Sequence, residues 1–436
     1  MIVESNPKLK KTKNFQAPKG TRDILPDEQK YWQRINQVVR SLAEAYSFER
    51  IDTPIIEETD LYVKSTGANT DIVEKEMYSF RTKGGDALTL RPEFTPGIVR
   101  AYLENGLFSL PHPVKLYTIG PLFRYEKPQA GRFRQHHQIN FEVFGEEKPV
   151  LDAQIIFLFF NILKELGLKG LNIQINSIGC AKCRPSFRKM LMDFYRHKLK
   201  SLCYKCQKRY KVNPLRLLDC KDEKCREIAE SAPQMIDYLC SECHDHFKSV
   251  LEYLDELDLP YFLNGHLVRG LDYYVRTVFE IWPEENKNKA QIALAGGGRY
   301  DNLVQSLGGQ STPALGGAAG IERIMFLMKS QNIKISVKNQ PKVFMVQLGD
   351  LGRKKSLKLF EEIRKAGIRI AESFSRDSIK SQLKTADKLA VKYALILGQK
   401  ETLDNTIIVR DMDSGAQEIV PLEKIIKVLK KRLKNN

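Results

Sequence analysis

The chain has 436 residues, 42% of them hydrophobic, and a formal net charge of +17. That length exceeds what one hydrophobic core normally serves, so two or three domains are expected. The longest apolar run, Ile155 to Phe160, is far shorter than the ~20 residues of a spanning helix, which excludes a helical membrane protein.

The N-terminus lacks the apolar stretch of a secretory signal, and its Lys8, Lys10, Lys11 and Lys13 read as a frayed, solvated arm. A cytoplasmic protein with reduced thiols is expected. Tyr31, Ile35, Val38, Val39, Leu42, Ala45 and Tyr46 recur at helical spacing and predict a helix over 26–47, with Pro26 and Asp27 suited to its first turn. An extended piece follows from Arg50 to Ile56, confined by Pro54 to an edge strand or a strand end. From 88 to 145 the pattern is mostly strand, at Leu88–Leu90, Val114–Tyr125 and Gln135–Phe144, and a helix follows over Asp152–Leu166. Residues 177–258 differ in character and hold all eight cysteines. Strands are expected again at Leu267–Ile281 and Gln291–Ala295, then glycine-rich turns at 296–298 and 316–320, the second leading into a helix from Ile321.

Residues 331–341 are polar, without a clear period, and read as a linker. Beyond it strands (Lys342–Leu348, Ile368–Ala371, Tyr393–Leu397, Thr406–Arg410) alternate with helices (Lys354–Ala366, Ser378–Lys388, Glu423–Leu433), which predicts a small separate α/β domain. Residues 341–436 carry 21 Lys and Arg against 12 Asp and Glu, over half of the whole excess. Such a surplus favours a polyanionic partner, nucleic acid being the usual one, although a lysine-rich proteome gives the same figure.

Four stretches carry chemistry. Phe123 to Glu126 and Arg132 to Gly145 form two strands around a Pro/Gly loop. Alternation along the second strand puts His136, Gln138, Asn140 and Glu142 on one face and Ile139, Phe141 and Val143 on the other. Gln and Asn are poor strand formers, and Arg124 enters from the neighbouring strand, so this face reads as ligand-binding rather than as an ordinary wetted one. In Thr89 to Thr95, Glu93 and Thr95 would point the same way in an extended chain and could hold an ammonium group; a surface strand end is the plainer reading. Arg269 stands among apolar and aromatic residues and needs an anion, either a structural carboxylate or a bound phosphate. In Gly316 to Arg323, small residues feed a helix start, where an anion can approach closely and Arg323 adds charge.

Cys180 and Cys183, Cys203 and Cys206, Cys220 and Cys225, and Cys240 and Cys243 make four close pairs. Two pairs per metal would give two Cys₄ zinc sites. A helical insertion with reduced thiols is the alternative. His112, His197 and His266 read as surface or structural histidines.

Together these stretches resemble histidyl-tRNA synthetases over essentially the whole length. The three class II signatures stand in order: helix 26–47 with the strand ending near Pro54, the hairpin from Phe123 to Glu142, and Gly316 to Arg323. Arg269 to Tyr274 and Ala295 to Asp301 match the family's histidine-specific elements. The resemblance implies an α+β chain. It would hold an antiparallel class II catalytic sheet with flanking helices (1–335), a helical, cysteine-rich insertion near 177–258, and an α/β anticodon-binding domain over 341–436. It implies histidine–tRNA ligase activity on L-histidine, ATP with Mg²⁺ and tRNA-His, in a homodimer whose interface is built by the first signature. Residue by residue, it implies that Glu93 and Thr95 hold the α-amino group, with Gln138 and Glu142 completing the ammonium and carboxylate contacts. Phe94, Tyr273 and Tyr274 would line the histidine pocket. Arg124, with Glu126, would contact ATP at the α-phosphate, Arg269 would stand on its far side, and Arg323 would grip the γ-phosphate end. Arg124 and Arg269 are thus the expected catalytic pair, and the loop Lys127 to Gly131 would face the acceptor stem. Phe94 departs from the small residue common in the family, which would narrow the pocket, and His137 adds a second histidine beside His136. Two rivals are a catalytically silent paralogue that regulates histidine biosynthesis and an RNA-binding module without catalysis. Retention of the C-terminal domain and of three phosphate-directed arginines speaks against both.

Overall fold

The computed structural model describes residues 15–68, 70–129, 131–284, 293–335 and 340–434. The lysine arm, Ala130 of the acceptor-stem loop, the first part of the expected strand Gln291–Ala295 and part of the 331–341 linker lie outside the described residues. The chain divides into two compact units, Met1–Ile335 and Ser336–Asn436.

The first unit is built on an antiparallel sheet. Its central strands are β1 (Val114–Phe123), β2 (Gln135–Phe144), β3 (Leu171–Ser177), β4 (Val275–Pro283), β5 (Ala295–Arg299) and β6 (Ala314–Gly320), in the spatial order β1-β2-β6-β5-β4-β3. Two short strands, Glu49–Arg50 beside β1 and Tyr261–Leu263 beside β3, run parallel to their neighbours at the two edges. A separate small sheet holds Ile56–Glu58, Ala87–Leu90 and Tyr78–Arg81.

Helices α1 (Pro26–Ala45), α3 (Val150–Glu165) and α6 (Ile321–Ser330) supply one large apolar cluster; α2 (Thr95–Glu104) belongs to a second. In α1 the buried residues Trp32, Ile35, Val38, Val39 and Leu42 fall at helical intervals, with Pro26 and two acids in the first turn. They meet Ile139, Phe141 and Val143 of β2 and Ile155, Phe159 and Ile162 of α3. The odd-numbered row of β2 thus packs inward, and its even-numbered row faces the other side of the sheet.

Residues 184–256 are helical, opening with α4 (Arg184–Arg196) and closing with α5 (Ser241–Glu256). Their apolar residues Phe187, Leu191, Tyr195 and Met235 share the second cluster with Tyr273, Tyr274, Phe94 and Leu122.

The structure corrects several expectations. The glycine-rich stretches at 296–298 and 316–320 are strands, β5 and β6, paired with each other. Glycine is a poor strand former, but contacts across the sheet require it here: a Cβ on Gly316 would lie 1.7 Å from Glu142 Oε2. The expected strand Leu267–Ile281 begins only at Val275; Leu267 to Tyr274 is a loop. Of the extended piece Arg50 to Ile56, only its two ends pair, Arg50 with Tyr117 and Ile56 with Leu90. The 89–95 stretch is not extended throughout: Phe94 is already in helical geometry and Thr95 opens α2.

The second unit has its own sheet and core. Strands β7 (Val343–Gln347), β8 (Ile370–Glu372), β9 (Tyr393–Leu397), β10 (Thr406–Asp411) and β11 (Gln417–Pro421) lie in the order β8-β7-β9-β10-β11, the first three mutually parallel. Helices α7 (Gly349–Lys365), α8 (Ile379–Lys388) and α9 (Ile425–Lys434) accompany them. Leu359, Ile363, Ile425 and Leu429 pack on one side of the sheet with Val343 and Met345, and Ala386 meets Phe344 and Val346 on the other. The strand β11 and a helix over Gln399–Leu403 were not foreseen.

Candidate active site

The polar row of β2 grades inward, from half-buried His136 and Gln138 to buried Asn140 and Glu142. Glu142 is fully enclosed. Its Oε1 accepts from Thr95 Oγ1 at 2.5 Å and from Asn140 Nδ2 at 2.5 Å, and its Oε2 accepts from the Tyr300 hydroxyl. Glu93 is buried beside it and accepts from Thr66 Oγ1 at 2.6 Å and from the Tyr273 hydroxyl at 2.7 Å.

Burial, and after it the charge of Glu93, lift the Glu142 carboxyl to about 8 against its three donors. Burial raises Glu93 as well, against the two hydroxyl donors and the positive fields of Arg124 and Arg269. Two neighbouring carboxyl groups cut off from water in this way are a cradle for a cation: an ammonium between them would make both ionised forms favourable.

The cationic side of the site is assembled from three separate segments. Arg269 pairs through Nη1 with the Glu280 carboxylate of β4, and its guanidinium carbon lies 5.5 Å from the Tyr274 ring centroid. Glu280 in turn accepts from Trp282 Nε1 at 2.8 Å. The anion that Arg269 needs is therefore met in part by a structural carboxylate. Its Nε is buried without a hydrogen-bond partner among the described residues, so one donor remains for an incoming anion. Arg124 is anchored by Nε to the Pro92 carbonyl at 2.8 Å, and Arg323 by Nη1 to the Ala293 carbonyl at 2.9 Å. Burial, with Arg132 and Arg124 close by, pulls Arg323 down to about 10. Arg132 pairs with Glu126 at 3.2 Å, which brings Glu126 to the same corner. Arg124 and Arg323 have no carboxylate partner among the described residues, so this corner carries positive charge of the kind that can receive a polyanion. Between them, burial and then the fields of Arg124 and Arg323 hold His136 down to about 3, so its imidazole is neutral.

The glycines of β5 and β6 form a bare floor. A Cβ on Gly296 would meet Arg269 Nη1 at 2.6 Å, and one on Gly316 would meet Glu142. Tyr273 and Tyr274 are buried with ring centroids 4.7 Å apart, and Tyr273 meets Tyr300 edge-on at 5.7 Å. Gln138 is half-buried on β2 opposite Gly320. Phe94 is enclosed in the second apolar cluster, with the Arg91 guanidinium 4.5 Å from its ring centroid.

Several residues of this constellation escaped the sequence reading. Thr66, Glu280 and Tyr300 donate to or hold the expected ones, while Asn140, already read on the ligand-binding face, donates to Glu142. Glu322 accepts from the His137 backbone N–H at 2.9 Å and lies 2.8 Å from its Nδ1, which ties α6 to β2. Asn140 and Tyr300 stood inside quoted motifs; nothing in the sequence marks Thr66. Arg299, from the same motif as Tyr300, is fully buried in a structural pair with Asp152 at 2.8 Å and Asp301 at 3.1 Å.

The eight cysteines are free thiols that gather into two quartets: Cys180, Cys183, Cys240 and Cys243, and Cys203, Cys206, Cys220 and Cys225. Within each, all sulfurs lie within 4.8 Å of one another. Four thiolates at ~2.3 Å from a tetrahedral zinc ion stand about 3.8 Å apart. The closest separations fit that figure: 3.6 Å for Cys180–Cys183, 3.9 Å for Cys180–Cys240 and 3.8 Å for Cys203–Cys220. Backbone N–H groups also point at sulfur, Cys240 N at Cys183 Sγ (3.1 Å) and Cys203 N at Cys225 Sγ (3.2 Å). Donors of that kind favour thiolate over thiol. The chemistry and the spacing both fit zinc.

Comparison with known proteins gives a consistent result. The family model described as histidyl-tRNA synthetase matches residues 20–324, and one described as anticodon binding domain matches residues 342–432. The histidine–tRNA ligase of Desulforamulus reducens is 45% identical over 415 residues, covering 95% of this chain and 99% of the relative. That of Dehalococcoides mccartyi is 46% identical over 419 residues, covering 96% and 100%. Among solved structures, the apo histidyl-tRNA synthetase of S. aureus superposes with a TM-score of 0.81 at 33% identity, over 95% of this chain and 99% of that one.

Proposed function

Because the chain belongs to the histidyl-tRNA synthetase family, we propose that the cavity around Glu93, Glu142 and Arg269 is where histidine meets ATP. Its α+β fold is that of class II histidyl-tRNA synthetases. Its activity is that of a histidine–tRNA ligase, which activates histidine with ATP and Mg²⁺ and passes it to the 3′ end of tRNA.

Within that activity we assign Glu93, Thr95, Gln138 and Glu142 to the ammonium and carboxylate of histidine, and Phe94, Tyr273 and Tyr274 to the pocket for its side chain. Arg124, Glu126, Arg269 and Arg323 are assigned to ATP. The observation that carries the assignment is the pair of buried, hydrogen-bonded carboxyl groups of Glu93 and Glu142 facing a cluster of under-compensated guanidiniums. A zwitterion beside a triphosphate is a ligand set that would balance both halves.

The chemistry then needs positioning more than proton transfer. The histidine carboxylate is already a nucleophile at neutral pH and attacks the α-phosphorus as pyrophosphate leaves. Arg124 and Arg269 would clamp the phosphorus from two sides, where charge builds in the transition state. Neutral His136 adds no positive charge of its own. A ribose hydroxyl of the tRNA end then attacks the adenylate carbonyl, the mixed-anhydride bond breaks and AMP leaves, with the loop Lys127 to Gly131 toward the acceptor stem.

The finer organisation is also our reading. The insertion spans about 177–258. The basic unit from 341 to 436 binds the anticodon arm through its phosphates. Two chains pair through the first signature, whose two-residue strand Glu49–Arg50 is an exposed sheet edge. The enzyme works in the cytoplasm, and the two cysteine quartets hold structural zinc. The deciding test is ATP–pyrophosphate exchange with each amino acid, followed by charging of tRNA. Exchange dependent on histidine and charging of tRNA-His alone are expected. Exchange supported equally by other amino acids, or none with histidine, would overturn the site assignment.

A further inference from the structure

The loop that carries Arg269, Tyr273 and Tyr274 has no secondary structure of its own, yet it must hold three groups in register. Residues next to or between the cysteines of both quartets hydrogen-bond to it.

The first quartet closes the turn between β3 and α4. Within that turn, Ile178 N–H donates to the Arg276 carbonyl at 2.8 Å and Arg276 N–H donates to the Gly179 carbonyl at 3.0 Å. Arg184, the residue after Cys183, donates through Nε to the Ile178 carbonyl at 3.2 Å and through Nη2 to the Tyr274 carbonyl. Arg276 has φ of +52°, a conformation that a non-glycine residue keeps only where its surroundings over-determine it. The turn bearing Cys180 and Cys183 supplies that constraint, two residues from Tyr274.

The second quartet closes the segment from 203 to 225. Inside it, Asn213 Nδ2 donates to Asp272 Oδ1 at 2.9 Å, and Arg216 Nη1 donates to the Arg269 carbonyl at 3.2 Å. Arg209 from the same segment pairs with Asp71 at 2.7 Å.

We infer that the metal in the two quartets braces the substrate loop, the first quartet setting Tyr273 and Tyr274 for histidine and the second setting Arg269 for ATP, so that metal occupancy governs substrate affinity as well as fold. This rests on the zinc reading of the quartets. Arg184 and Arg216 are positioning residues: they act through the loop backbone, and neither is assigned a ligand. Displacing a reacting or binding group by about an ångström costs on the order of a hundredfold in the extreme, and a loosened loop about tenfold.

The experiment uses the full-length protein. Metal analysis by mass spectrometry is expected to find two zinc ions per chain; under half an equivalent sinks the zinc reading itself, whatever the kinetics. Arg184→Gln and Arg216→Gln leave all eight thiols in place and should keep both metals. Arg184→Gln should weaken histidine binding about tenfold by calorimetry and raise the histidine KM, with the ATP KM little changed. Arg216→Gln should act mainly on kcat and the ATP KM. Protein stripped by a thiol-reactive mercurial and then reduced should lose histidine affinity and regain it with zinc alone; if stripping unfolds it, the two arginine variants still decide. Two zinc ions per chain with both variants binding and turning over as the parent would overturn the bracing role and leave the zinc reading standing.

Discussion

The hydroxyl of Tyr273 donates to Glu93 Oε2 at 2.7 Å across 180 positions of sequence, and it ties the loop after the helical segment to the turn before α2. Tyr273→Phe removes that donor without changing the ring. A buried carboxylate then loses one of its two hydroxyl partners, which costs about 1–3 kcal/mol of desolvation. Histidine affinity should fall roughly tenfold or more, by calorimetry, with far-UV dichroism unchanged. Parent-like affinity would show that this hydroxyl does not support the site.

Glu142 gives the protein a pH signature. Its carboxyl stands near 8 instead of 4.5 because it is buried. Between those values the folded state holds a proton that the unfolded chain has released, so this group favours folding fully below about 4.5 and progressively less as pH rises to about 8. Ligation by an ammonium favours the ionised form, so histidine binding at neutral pH should expel a proton. Calorimetry in two buffers of different ionisation heat reads that proton directly. Glu142→Gln should abolish it; an undiminished release in the variant would assign the titration elsewhere.

Arg269→Ala should abolish adenylate formation while leaving the fold intact. Loss of one preorganised charge aimed at a developing transition state costs on the order of 100- to 1,000-fold in kcat. Glu280 is left with its Trp282 donor and partial exposure, so the stability loss should be modest. Near-normal histidine-dependent pyrophosphate exchange would refute the role given to Arg269.

Arg299 predicts the opposite pattern. It is fully enclosed and paired with Asp152 and Asp301. Arg299→Ala leaves the buried Asp152 carboxylate without its partner, which costs about 3–5 kcal/mol. Urea denaturation should show this at any ligand concentration. A midpoint within error of the parent would mean that the pair is not stabilising.

The hairpin β1–β2 was legible because alternating apolar and polar residues leave one register that buries a whole row. Arg124, Arg269 and Arg323 were legible as charges without partners close in sequence. What was hidden depends on contacts distant in sequence. Gly296 and Gly316 look like turn residues until Arg269 and Glu142 arrive across the sheet. Leu267 to Tyr274 reads as a strand because its apolar and aromatic residues suit one, but Tyr273 and Arg269 are drawn out of any ladder by Glu93 and Glu280. The four close cysteine pairs were legible as candidate ligands for two four-thiol sites, and the sulfurs do gather in two groups of four. Which pair joins which emerged only from the fold, which brings Cys240 and Cys243 to the turn bearing Cys180 and Cys183 and leaves the other four to gather among themselves.

Gly316 sets a limit on how this sequence can drift. Any other amino acid there brings an atom into the space that Glu142 Oε2 occupies, and no rotamer choice avoids it because the offending atom is the first of the side chain. The same atom would stand 2.5 Å from the Phe141 backbone carbonyl, so replacing Glu142 alone would not make room, and drift at this position is closed by the backbone of β2 as well as by its carboxylate neighbour.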